Sequence, residues 1–320
     1  MTPRAEDAFR APAGEPSYLR LHRSGELARR ARAARGMLAG CRLCPRACGA
    51  DRLAGETGFC LTGRDALVAS AGPHLGEEGV LRGWRGSGTL FFARCNLACV
   101  FCQNHDISQG EGSQPLAAGE LADVMLALQE RGCHNVNLVS PSHVVAQVLA
   151  AVDLAAARGL VLPLVYNTNA YDAPAALRLL DGVVDVYMPD FKFWDPAAAE
   201  RFTGARDYPD RARAAIAEMH RQVGVLRMDA DGLARRGVLL RHLAMPGGGA
   251  DTAAVLDWVA AALSPDTAVN LMGQYRPAHR VGEPDGAGGR LFEELDRPPS
   301  DEEMAAARAA ASAAGLWRFV

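Results

Sequence analysis

The chain is expected to fold as an α/β protein, a partial (βα)6 TIM-type barrel with a small N-terminal cysteine-rich metal-binding element. Two patterns point there. From about residue 89, short apolar runs alternate with segments of helical spacing, and polar residues recur just after those runs. A third observation narrows the choice. A doubly wound dinucleotide fold would place a glycine-rich phosphate turn after its first strand, and this chain has cysteines there.

Residues 1–40 read as a polar, partly helical leader, with a helix over about 18–38. Residues 41–88 hold four cysteines, many glycines and little periodicity, which suits a loop-rich module stapled by a metal. Residues 89–280 carry the repeating core. Strands are expected at 89–95, 136–139, 162–166, 183–188, 237–244 and 269–272. Helices are expected over 116–131, 144–157 and 174–180, across 196–223, and over 252–262. Residues 281–320 form a C-terminal loop and a helix over 301–314, for which Ser300 is a plausible N-cap with Glu303 at capping-box spacing. Alternating strands and helices imply parallel pairing, and such barrels gather chemistry where strands end.

Composition excludes several function classes. At 320 residues, with 49% hydrophobic and 22% charged residues, the chain reads as an ordinary globular protein. A net charge of −3 gives no global reason to expect nucleic acid or a membrane as partner. No apolar run reaches membrane-spanning length, and the Arg-rich start lacks the apolar core of a secretion signal. Glu6, Asp7, Glu15 and Glu26 argue against an organellar transit peptide, so a cytoplasmic location is expected. That compartment keeps thiols reduced, which argues against a disulfide framework for the eight cysteines. Seven of the eight fall in two tight groups, a metal-ligand pattern, while Cys133 reads as a buried thiol.

The second group, Cys95-x3-Cys99-x2-Cys102, supplies three soft thiolates. They can hold three irons of a cubane cluster and leave the fourth without a protein ligand. A structural zinc needs four ligands, and His105 or Asp106 is the alternative that would close such a site. The first group, Cys41, Cys44, Cys48 and Cys60, can coordinate either a zinc or a second [4Fe–4S] cluster, and spacing alone does not separate them. Among the 34 basic residues only position 192 is Lys. Its compact ammonium differs chemically from a guanidinium, so Lys192 is either functional or a chance survivor.

The segment around Cys95, Cys99 and Cys102, with Phe101 before the third cysteine and Asn104 and Asp106 after it, resembles the radical S-adenosylmethionine (SAM) superfamily. Within it, the chain is similar to the branch around pyruvate formate-lyase activating enzyme, over about residues 85–280. The upstream cysteines resemble the N-terminal element of uncharacterised activating-enzyme-like proteins; better-known activators carry extra clusters in an insert after the SAM motif.

The resemblance implies a [4Fe–4S] cluster on Cys95, Cys99 and Cys102 whose open iron is chelated by the amino and carboxylate groups of SAM. One electron, from a donor such as flavodoxin or ferredoxin, would then yield a 5′-deoxyadenosyl radical that abstracts hydrogen from a substrate. It further implies SAM contacts from Phe101 and Asn104. The family places a Gly-Gly-Glu type motif after its second strand, where this chain has Ser140-Pro141-Ser142-His143. Ser140 and Ser142 can take over its polar contacts, and His143 is either a ligand contact or a helix-start residue. Asn167 and Asn169 look like the third-strand segment near SAM, although Asn also suits a bland turn. Asp190 and Lys192 match an Asp-x-Lys segment after the fourth strand and would form an ion pair lining the barrel mouth. Arg241 is a candidate for the SAM carboxylate, with surface salt bridging as the alternative.

The substrate is open between a glycine of a partner glycyl-radical protein, a small molecule and another peptide. A non-catalytic, zinc-stapled binding protein is the reading from a different class. Loop residues 103–115 and the tail after Gln274 are expected to shape access, and Arg276, His279 and Arg280 either meet an anionic group there or are solvated.

Overall fold

The computed structural model describes residues 9–11, 14–110, 112–248 and 251–320. Glu6 and Asp7 of the leader and Glu111 of the access loop lie outside the described residues. The fold is α/β with a mixed sheet of nine strands. Three strands precede the expected second repeat: β1 (Ala66–His74), β2 (Ser87–Phe92) and β3 (Gln114–Leu116). β4 (Val136–Val139), β5 (Leu164–Thr168), β6 (Val186–Pro189), β7 (Arg227–Met228), β8 (Ala234–Leu243) and β9 (Ala268–Met272) follow. β2, β4, β5, β6, β8 and β9 pair in parallel in chain order, as a partial barrel requires. β1 lies antiparallel on β2, β3 on β1, and β7 on β8.

The strand ends differ from expectation for local reasons. β2 stops at Phe92, because Ala93 N–H bonds Leu67 O at 2.8 Å and Arg94 turns the chain with φ +67°. The cysteines therefore sit on the loop after the strand and not in it. β5 begins after Pro163, which has no N–H to donate. Val183 and Val184 N–H groups return to Leu180 O at the end of the helix Pro174–Leu180, so β6 starts only at Val186. β1 was hidden in sequence because Ala, Ser, Gly and Pro carry little strand signal.

Two apolar layers enclose the sheet. The outer one is covered by the helices Ala118–Glu130 and Val145–Ala157, the latter with nine buried residues. The leader joins this layer. Its single expected helix is broken by Gly25, at φ +73°, into Ser17–Arg23 and Glu26–Gly36, which bury Tyr18, Leu21, Leu27, Ala31 and Ala34. The Tyr18 hydroxyl lies 3.0 Å from Leu160 O and 3.1 Å from Leu162 O, tying the leader to the approach of β5. The inner layer is a smaller core in which Leu81 packs with Val165, Val186, Leu239 and Ala268.

The helix Asp301–Ala313 starts at Ser300 with the expected reciprocal cap: Glu303 N–H to Ser300 Oγ at 3.2 Å, and Ser300 N–H to Glu303 Oε2 at 2.7 Å. Replacing Ser300 with Ala is expected to cost about 1 kcal/mol, read as a small fall in denaturation midpoint.

Candidate active site

The three cysteines of the SAM-like motif lie on a loop fixed by backbone hydrogen bonds. Arg94 N–H bonds Ile107 O at 3.1 Å, Ala98 N–H bonds Thr203 O at 3.0 Å and Val100 N–H bonds Phe202 O at 2.9 Å. Two of these three anchors come from the end of the helix Pro196–Thr203. Leu97 N–H and Asn169 Nδ2 approach Cys95 Sγ at 3.4 and 3.3 Å, and Cys102 Sγ lies 3.3 Å from Ser108 Oγ. Burial pushes the Cys95 and Cys99 thiols up, opposed in both by the Lys192 ammonium, and each feels its neighbouring cysteines.

The donor chemistry fits an iron–sulfur cluster. Three soft thiols share one loop, all unbonded to other sulfurs, and burial makes Cys95 and Cys99 costly to ionise until a cation accompanies them. No three His, Cys, Asp or Glu among the described residues are arranged to hold a single metal ion. A cubane spreads its ligands wider than one ion does. The residues that could have closed a zinc site are engaged elsewhere or exposed: the His105 ring sits 3.2 Å from Cys102 O and stacks on His279, and Asp106 belongs to an exposed turn of helix.

Beside this loop, strand ends bring charge together. Asp190 accepts from Lys192 Nζ and from Arg241 Nε, each at 2.7 Å. Arg241 Nη2 also donates to Asn167 Oδ1 at 2.8 Å, and its Nη1 lies 3.9 Å from both Glu77 and Glu78. Burial raises the Asp190 carboxyl, but Arg241 and Lys192 outweigh it and hold the group below the usual carboxylate range. Lys192 and Arg241 are moved up by their carboxylate neighbours against the effect of burial. Glu77 is raised chiefly by burial.

Glu77 and Glu78 were not legible in sequence. They follow β1, whose end pairs with the start of β2, so they enter the barrel from the end opposite the cysteine loop. Glu77 takes a hydrogen bond from Asn137 on β4, and Glu78 one from Asn270 on β9 at 2.9 Å. Two strands that do not pair are thus joined across the lumen, and Arg241 stands on this floor. All three guanidinium nitrogens face protein carboxylates or amides.

The remaining sequence candidates divide. Asn169 is drawn to the cysteines: its Nδ2 also donates to Asn96 Oδ1 at 2.8 Å. Phe101 is 5% exposed and packs edge-on against Phe193 and Tyr275, a wall that keeps water from the loop. Asn104 is exposed, and its carbonyl accepts from Ser108 N–H at 2.8 Å. Ser140 ends β4 with φ +58°. Arg94 and Ala170, at the ends of β2 and β5, share that left-handed backbone, which costs energy for any residue with a Cβ. Ser142 turns away, bonding Thr168 Oγ1 at 3.0 Å within a buried network that includes Asp172. His143 is buried too, with Nε2 3.1 Å from Ala93 O just past the end of β2, and it lines the pocket of the upstream cysteines.

Tyr208 went unnoticed in the sequence. Its hydroxyl accepts from Lys192 N–H at 2.9 Å and lies within donating distance of the Asp190 and Asn169 carbonyls, at 2.8 and 3.0 Å. It clamps the β5 and β6 ends together. Tyr208→Phe should cost about 1–3 kcal/mol in chemical denaturation, because it leaves a buried N–H and carbonyls unpaired.

The four upstream cysteines converge on one buried pocket, lined also by Arg46, Arg52, Asn96 and His143. Burial pushes the Cys44 thiol up to about 12. Gly58 passes close to this group: a Cβ there would stand 2.3 Å from Cys48 Sγ and displace that side chain. Cys60 lies between the two groups: it also lines a cavity with Cys95.

The model of the Radical SAM superfamily matches residues 89–230, from β2 to the approach of β8. The uncharacterized protein MJ0674 of Methanocaldococcus jannaschii is 32% identical over 275 residues, covering 82% of this chain and 74% of that protein. Among solved structures, HydG, a maturase of the [FeFe]-hydrogenase, aligns at 15% identity with a TM-score of 0.44. That alignment covers 71% of this chain, which spans about half (48%) of HydG.

Proposed function

Because the chain belongs to the radical SAM superfamily, we propose that Cys95, Cys99 and Cys102 hold a [4Fe–4S] cluster at which SAM is cleaved to start hydrogen abstraction from a substrate. When bound, the cluster supplies the electron that splits the sulfonium into methionine and a 5′-deoxyadenosyl radical. The observation that carries this reading is the convergence of three half-buried cysteines, Asn169 and the Asp190–Lys192 pair on one rim of the barrel.

The chain's own residues bind, orient and shield. Asn169 and the Leu97 N–H donate to Cys95 Sγ and favour its thiolate. The Lys192 ammonium offsets the negative charge at Cys99, while Asp190 fixes where that ammonium stands. Ser140, Asn167, Asn169 and Asp190 offer the polar groups at three consecutive strand ends for the amino acid and ribose parts of SAM. Phe101, with Phe193 and Tyr275, keeps water off the thiolates.

For the substrate, the Asn104 and Asp106 continuation of the motif supports an activating-enzyme reading, in which the hydrogen comes from a glycine of a partner protein. Anaerobic incubation with SAM, reductant and each glycyl-radical enzyme of the host should give a glycine-centred radical signal on one of them. Formation of 5′-deoxyadenosine with no such signal on any partner would move the assignment to a small-molecule or peptide substrate.

A further inference from the structure

The upstream cysteine pocket holds polar groups that a protein-only interior leaves unsatisfied. Arg52 is fully buried, with Nε on Gly63 O at 2.9 Å and Nη1 on His143 O at 2.7 Å and 3.6 Å from Cys41 Sγ. Its Nη2 has no partner, and neither has Nη2 of Arg46. His143, 1% exposed, keeps an unpartnered Nδ1. With Nε2–H donating to Ala93 O, that Nδ1 carries a lone pair in the neutral ring. Two orphan cationic donors and an orphan lone pair around four thiols call for a group that is both metallic and rich in acceptors.

A lone zinc supplies the metal but adds no acceptor beyond the thiolates. The bridging sulfides of a cubane supply the acceptors that the guanidinium N–H groups lack.

The pocket also touches the first site. Asn96 lines it, lies 3.9 Å from Cys95 Sγ through Oδ1, and accepts from Asn169, which itself donates to Cys95. Arg46 Nε holds the Asn96 carbonyl at 2.9 Å. One buried amide thus spans the two cysteine groups. Cys48, at the far edge, is exposed to solvent.

We propose that Cys41, Cys44, Cys48 and Cys60 hold a second, redox-active [4Fe–4S] cluster that receives an electron at the Cys48 edge and relays it past Asn96 to the SAM-binding cluster. The inference rests on the function proposed above for Cys95, Cys99 and Cys102. A low-potential one-electron donor protein is oxidised by one electron; the upstream cluster is reduced and then reoxidised as the SAM-binding cluster is reduced. No atom or proton moves.

The test begins with the wild-type protein, reconstituted anaerobically with iron and sulfide. Metal analysis should give about eight irons per chain and no zinc, as two four-iron clusters require. After reduction, electron paramagnetic resonance should show two signals, only one of which shifts on adding SAM. Cys44→Ala should lose half the iron and keep the SAM-responsive signal. Asn96→Leu should keep all the iron. Freeze-quench after mixing with photoreduced flavodoxin should show the upstream signal first in the wild type, and both variants should lose rapid reduction of the SAM-responsive signal. One zinc per chain beside a single SAM-responsive cluster would overturn the relay and leave the proposed function intact, as would equal reduction rates in wild type and both variants. Two clusters of which neither responds to SAM would instead overturn the function on which the relay rests.

Discussion

Asp190→Ala should destabilise the protein by about 3 kcal/mol and scatter the barrel rim. The carboxylate is shared by Lys192 and Arg241, so its removal leaves two cations facing each other in a water-poor lumen. The value belongs at the lower end of the cost of stripping one partner from a buried pair, because these side chains remain 16–17% exposed. Glu77 and Glu78 temper the loss by holding Arg241 from the floor, at 3.9 Å. Lys192 has no second carboxylate in its ion-pair set among the described residues, so it should move most. Asp190→Asn keeps an acceptor and the packing and should recover part of the stability. Urea denaturation of the three proteins checks this order. Equal midpoints for wild type and Asp190→Ala would mean that the rim is not held by its charges.

Cys99→Ala should abolish SAM cleavage altogether. Cys99 sits between the two other ligands in sequence, and its thiol is buried with the Lys192 ammonium nearby. Loss of one of three thiolates leaves two, too few to hold a cubane against dissociation. The fold should survive, because backbone bonds to Thr203 and Phe202 anchor the loop on either side of this side chain. Circular dichroism of the variant should therefore match the wild type while 5′-deoxyadenosine falls to background. Continued cleavage would refute the assignment of the cluster to this loop.

The order of strands and helices and the cysteine motif were legible in sequence because each rests on local pattern. Thr89 to Phe92 and Val136 to Val139 are short, mostly apolar runs, and Cys-x3-Cys-x2-Cys needs no tertiary information to be recognised. Glu77 and Glu78 could not be read in the same way. Their role comes from a hairpin that carries them under the barrel to Asn137 and Asn270, some 60 and 192 residues onward. Ser142 and His143 looked like mouth residues because they follow β4 in sequence. Ser140 turns the chain with a left-handed backbone, and both side chains leave the lumen. The proximity of the two cysteine groups was equally invisible, since Asn96 and Cys60 are joined only by folding. The lone Lys stands on the Asp190 carboxylate, the ion pair expected from the Asp-x-Lys spacing, and its charge reaches Cys99.

The central claim is that Cys95, Cys99 and Cys102 leave one iron open for SAM. Anaerobically reconstituted protein, reduced with dithionite and given SAM, tests it most directly. Equimolar 5′-deoxyadenosine and methionine, formed only in the presence of reductant, is the expected result. A colourless protein that carries zinc and leaves SAM intact would contradict it.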